Sequence, residues 1–183
     1  MRLKTFTKAM AAMGACSVVL GLVGCDQQRI AELEEGVATE ADVRARFGAP
    51  EKVWDAADMA STPLPGAAAV AGARTLEYNR QPAGMANYMI TVGPDGKMSA
   101  LRQVLNPSNF AKVLPGMPME QVRKMLGKPM KVTAYALKQQ THYDWRYLNP
   151  PGAAMVFTVV FDQNLQVVST ASADDAVVNP TGR

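Results

Sequence analysis

The sequence predicts an α+β fold built as two tandem ααβββ units, each with two short helices packed on a three-stranded antiparallel sheet. Three observations carry this expectation. A helix motif occurs twice: Ala41 to Val53 aligns with Glu120 to Val132, with Val, Arg, Gly, Pro, Lys and Val identical. Alternating apolar runs follow each copy, the period of half-buried strands. A turn signal closes each set, Pro94-Asp95-Gly96-Lys97 in the first and Asp162-Gln163-Asn164 in the second. Internal duplication is the simplest account of the repeat.

The chain opens with a targeting segment. Arg2, Lys4 and Lys8 form a positive n-region, and the apolar run Ala9 to Val23 ends in small residues. That run is too short to span a bilayer comfortably, so residues 1–24 read as a secretory signal peptide. Leu22-Val23-Gly24-Cys25 resembles the lipobox of bacterial lipoproteins. The resemblance implies that Cys25 is the first residue of the mature chain, acylated on its sulfur and amine, with residues 25–29 as a lipidated tether. It also implies a membrane contact through that lipid, with the protein facing the periplasm.

Charge and cysteine content narrow the function classes. All 16 acidic residues lie after position 24, whereas three of the 19 Lys and Arg lie before it. The excess of +3 therefore belongs to the signal, and no basic stripe remains to suggest nucleic acid. Cys16 falls within the signal and Cys25 is assigned to lipid, so no thiol is left for a nucleophile, a disulfide or a metal.

The first unit is placed over residues 30–105. Ile30 and Leu33 lie one helical turn apart before Gly36. Thr39 with Asp42 resembles a capping box, Val43 and Phe47 share a helix face, and Gly48 with Pro50 stops the helix. Leu76 and Tyr78 alternate with Thr75, Glu77 and Asn79; Tyr88, Ile90 and Val92 form a second strand and Met98 to Leu105 a third. An Ala, Pro and Gly-rich insertion over 55–73 has no stable period and reads as a flexible loop.

The second unit is placed over residues 106–172. Pro118 starts a helix whose buried stripe is Val122 and Leu126, and Gly127 with Pro129 ends it. Tyr143, Trp145 and Tyr147 alternate along one strand, with Trp145 expected in the core and Trp54 left open beside the insertion. Met155 to Phe161 and Leu165 to Thr170 supply two more strands. Residues 173–183 read as a disordered tail.

Gly116-Met117-Pro118-Met119-Glu120-Gln121-Val122-Arg123-Lys124-Met125-Leu126-Gly127-Lys128-Pro129 resembles the signature of the SmpA/OmlA, or BamE-like, family of outer-membrane lipoproteins. Gly36 to Pro50 is a looser second match, and the two together cover roughly residues 30–172. The resemblance implies a non-enzymatic accessory or scaffold factor in β-barrel assembly and envelope integrity, with assembly-machine components or anionic lipid as partners. The doubled arrangement is also similar to the tandem-unit β-lactamase inhibitor proteins, which implies a periplasmic protein-binding or inhibitor module as the alternative. The family implies the outer membrane, whereas Asp26 resembles an inner-membrane retention signal.

No residue pattern argues for an enzyme. His142, Asp144 and Arg146 share one strand face without a nucleophile to join them, and read as a solvated polar face. No ligand-spaced cluster points to a metal, and no glycine-rich loop to a cofactor. The loop Asn79-Arg80-Gln81-Pro82-Ala83-Gly84 is similar to the family's first strand connection. Arg80 is the candidate interaction residue there, because a guanidinium suits a phosphate head group or a carboxylate.

Overall fold

The computed structural model describes residues 30–60, 62 and 70–179. The signal, Cys25 and the tether lie outside the described residues, as do the middle of the insertion and residues 180–183. Residues 30 and 31 are helical. Helix α1 (Glu40–Phe47) starts at Thr39, whose hydroxyl accepts from the Asp42 N–H at 3.3 Å while the Asp42 carboxylate accepts from the Thr39 N–H at 2.9 Å. The exchange satisfies donors that a helix start otherwise leaves free. The helix ends at Gly48, with φ +83° and ψ −156°, a region essentially reserved to glycine. Strand β1 (Lys52–Asp55), helix α2 (Ala56–Met59) and strands β2 (Arg74–Asn79), β3 (Asn87–Val92) and β4 (Met98–Gln103) complete the first half.

The second half contains α3 (Pro107–Phe110), α4 (Met119–Leu126), β5 (Lys131–Tyr135), a 3-10 turn at Ala136–Lys138, β6 (Gln140–Asn149), β7 (Ala153–Phe161), β8 (Val167–Asp174) and α5 (Asp175–Val178). The strands form two antiparallel four-stranded sheets, ordered β1-β2-β3-β4 and β5-β6-β7-β8. The fold is thus α+β, but each sheet has four strands where three were expected. The extra strands β1 and β5 are short edges, and their Val53 and Val132 are exposed, so they carry no apolar alternation to read.

The described parts of two segments expected to lack structure possess it. Within 55–73, α2 buries Met59, and Ala73 is buried just before β2. The expected disordered tail is ordered as far as Asn179: Ala173 pairs with Val156 in the sheet, and α5 is tied down where Asp175 meets Arg146. Strand β8 is exposed over most of its length, which is why its sequence shows no apolar period.

The two halves hold their helices with matching bonds. Gly36 N–H donates to the Met98 carbonyl at 2.7 Å, and Gly116 N–H to the Val167 carbonyl at 2.8 Å. The Tyr78 hydroxyl donates to the Gly48 carbonyl at 3.2 Å, and the Trp145 indole N–H to the Gly127 carbonyl at 3.0 Å. In each case the polar tip of a core aromatic satisfies the carbonyl just past a helix end.

Two hydrophobic cores result. Leu33, Val43, Phe47, Leu76, Tyr78 and Ile90 pack between α1 and one face of the first sheet. Val122, Met125 and Leu126 of α4 pack with Trp145, Phe157 and Phe161 of the second sheet, and Met89 joins them from the first. Met89 and Ile90 point to opposite faces of β3. The first sheet is therefore covered on both faces, and all of β3 is buried.

Candidate functional site

The covered face of the first sheet forms a polar seam with the second half, built around Glu77. The sequence pattern placed Thr75 and Glu77 on an outer face, yet Glu77 is 0% exposed. The C-terminal end of α4 lies over it. Glu77 Oε1 accepts from Arg123 Nη2 at 3.0 Å and from the Lys128 backbone N–H at 2.8 Å, and Oε2 accepts from Trp54 Nε1 at 3.2 Å. Three donors thus surround one carboxylate, the condition under which a buried charge is tolerated. Trp54 is buried here, with Lys52 Nζ 3.7 Å and Lys124 Nζ 5.4 Å from its ring centroid.

Asn87, buried at the start of β3, works on the same helix end. Its Nδ2 donates to the Leu126 carbonyl at 2.8 Å and to the Lys128 carbonyl at 3.0 Å. Carbonyls that α4 cannot satisfy internally are thereby capped from the first sheet. Between them sits Gly127, φ +76°, where a Cβ would lie 2.9 Å from Asn87 Nδ2. Lys128 Nζ also pairs with Glu51 at 2.7 Å on the exposed rim.

The loop carrying Arg80 makes the second contact between the halves. Gln81 Nε2 donates to the Arg146 carbonyl at 2.8 Å, and Arg146 N–H donates to Gln81 Oε1 at 3.2 Å. A side-chain amide thus takes the place of a strand neighbour where β5 stops covering β6, beyond the Lys131–Asp144 pair. Arg146 also donates to the Pro82 carbonyl at 3.4 Å and pairs with Asp175.

Arg80 itself is half-buried, its guanidinium carbon 5.2 Å from the Phe47 ring centroid and its N–H donating to the Ala86 carbonyl at 3.2 Å. Cys25 lies outside the described residues. Trp145 is buried in the core. The His142, Asp144 and Arg146 face is not the solvated one expected: Asp144 is buried and accepts from the Thr158 hydroxyl at 2.6 Å, and Arg146 is engaged by the loop and by α5. Sequence reasoning missed Glu77, Asn87 and Gln81. Only Gln81 lay in a segment already singled out.

Residues 103–171 match the model of the outer membrane protein assembly factor BamE domain. This stretch of the chain is similar to the BamE family. The matched stretch takes in α3, α4 and nearly all of the second sheet, and its α4 presents Arg123, Gly127 and Lys128 to the first sheet. No curated protein sequence matches the chain. Among solved structures, a DUF4309 family protein (YjgB) from Bacillus subtilis is 19% identical over 78% of this chain and 82% of its own, with a TM-score of 0.27. A score that low carries no argument about fold or role.

Proposed function

We propose that the chain is a non-enzymatic envelope lipoprotein that serves β-barrel assembly in the outer membrane as an accessory scaffold. The observation that carries this is the BamE-domain match over residues 103–171, a family described as an outer membrane protein assembly factor. The seam around Glu77 supports a scaffold role, because a buried carboxylate held by three donors from both halves ties them together as one body. The first half is a diverged second copy of the unit; its support is the repeated helix motif and the paired glycine and aromatic bonds. The inhibitor-like alternative gains nothing from the match.

In this reading Cys25 carries the lipid and the protein faces the periplasm from the outer membrane, with the inner membrane as the counter-outcome because of Asp26. Arg80 contributes to a contact with anionic lipid or an acidic partner surface. Loss of the chain should lower the amount of folded β-barrel protein in outer membranes and raise permeability to bulky antibiotics. Unchanged levels of every outer-membrane β-barrel protein would refute the assembly role.

A further inference from the structure

The two sheets end in corresponding edge strands, β4 and β8, and the two edges are protected differently. Both are tied at their start by a glycine N–H, from Gly36 onto Met98 and from Gly116 onto Val167, and a bulge follows in each. Beyond the bulge, Leu101 points its backbone away from the first sheet. Its N–H donates to the Glu35 carboxylate at 2.9 Å and its carbonyl accepts from Arg102 at 2.8 Å. Asn106 Nδ2 covers the Gln103 carbonyl at 3.0 Å. Charges and side-chain caps of this kind blunt an edge that would otherwise template another strand.

The edge of β8 lacks that cover. By register, Thr170 corresponds to Leu101 and Ser172 to Gln103, and among the described residues neither has a backbone partner on its outer side. Where the first half has Glu35 before Gly36 and Arg102 after Leu101, the second has Pro115 before Gly116 and Ala171 after Thr170. Val168 to Ser172 are exposed, and from Ser169 to Ala173 every side chain is small and uncharged.

We propose that the outer edge of β8, centred on Thr170 and Ser172, receives an extended segment of another polypeptide as a fifth strand. Main-chain bonds supply the attraction in strand addition, and side-chain pockets supply specificity. The small residues of β8 offer no pockets, so the edge takes strands of varied sequence. They leave room for large neighbours, and half-buried Val160, opposite Ser169 on β7, adds apolar surface on the same face. The occupant is therefore a strand bearing β-branched or aromatic side chains. A second copy of β8 fits less well: Ser, Thr and Ala set against themselves bury far less than the ~1,200 Å² of a stable association.

The test is residue-resolved amide hydrogen exchange on the full-length chain with a blocked octapeptide of alternating Val and Thr. A matched peptide with proline at alternate positions, which cannot complete a ladder, serves as control. With the first peptide at about four times its dissociation constant, exchange at Thr170 and Ser172 should slow about fivefold, and not at all with the control. The double variant Pro115→Glu, Ala171→Arg installs the guard of β4 and should abolish the effect with unchanged thermal unfolding. Ser172→Pro removes one outward N–H at an edge and should abolish the protection at Thr170. No slowing at the solubility limit of the peptide, or equal slowing in both variants, would overturn the proposal. So would protection that grows with protein concentration in the absence of peptide, which would assign the edge to a second copy.

Discussion

Arg123 on α4 donates to the Glu77 carboxylate on β2 at 3.0 Å, across 46 residues of sequence. The carboxylate is fully buried, whereas the arginine keeps 27% of its side chain exposed. One partner therefore depends wholly on protein donors, and the other remains in part with solvent. Removing either partner is costly for a different reason: without Arg123 a buried carboxylate loses its cation, and without Glu77 the other donors lose their acceptor.

Glu77→Ala should destabilise the chain by about 3 kcal/mol, since it leaves the Trp54 indole and the Lys128 backbone N–H without an acceptor and Arg123 without its counter-charge. Arg123→Ala should cost at least as much, because it leaves the fully buried Glu77 carboxylate with two neutral donors and no cation. Denaturant unfolding of both variants checks this, and a midpoint for Glu77→Ala equal to that of the parent chain would contradict the seam.

The paired glycines separate backbone strain from packing. Gly48 and Gly127 share a conformation in which a side chain costs about 1–3 kcal/mol. A Cβ at Gly48 meets nothing within 4 Å, whereas at Gly127 it meets Asn87 at 2.9 Å. Gly127→Ala should therefore destabilise more than Gly48→Ala, and measured in an Asn87→Ala background the cost of Gly127→Ala should fall towards that of Gly48→Ala. Equal losses for the two single variants would contradict the close approach.

Acid sensitivity has a local source at the guarded edge. The Arg102 guanidinium, and then the Leu101 N–H, hold the Glu35 carboxyl below its ordinary value of 4.5. The folded state thus binds fewer protons there than the unfolded chain. The contribution of Glu35 is complete above its ordinary value and fades as pH falls through the lowered folded value. Glu35→Gln should be less stable than the parent chain at neutral pH, with the difference shrinking below about pH 4.5. Thermal unfolding across that range checks the sign, and a difference that grows on acidification would contradict it.

How far the sequence disclosed all this depends on range. The caps of α1, the stop at Gly48, the start of α4 at Pro118 and the inward face of Trp145 were legible because each is decided within a turn or a strand. Glu77, Asn87 and Gln81 were not, because their partners lie 23 to 65 residues away and convert a nominal outer face into a covered one. Strand alternation names two faces and cannot say that both are buried. The fourth strands escaped for the opposite reason, being edges without an apolar stripe.

Lipidation is tested at one atom. Cys25→Ser should release the protein from membranes or leave it unprocessed, and intact-mass analysis of the parent chain should show an acylated N-terminal cysteine. A mature N-terminus elsewhere, without lipid, would contradict the anchor.

Arg80→Ala should lower binding to anionic vesicles severalfold, the loss expected from about 1 kcal/mol per basic residue at such a surface. Its stacking on Phe47 adds a stability cost of about 0.5–1 kcal/mol. Vesicle binding at low and high ionic strength separates the two effects, because salt screens only the first. Identical binding by both proteins at low ionic strength would make Arg80 a purely structural residue.

The assembly role is tested most directly by cross-linking intact cells and isolating the full chain from detergent-solubilised envelopes. Components of the β-barrel assembly machinery should be recovered with it, and in excess of those recovered with an unrelated lipoprotein of the same membrane. Efficient recovery of the chain with none of those components attached would contradict the account.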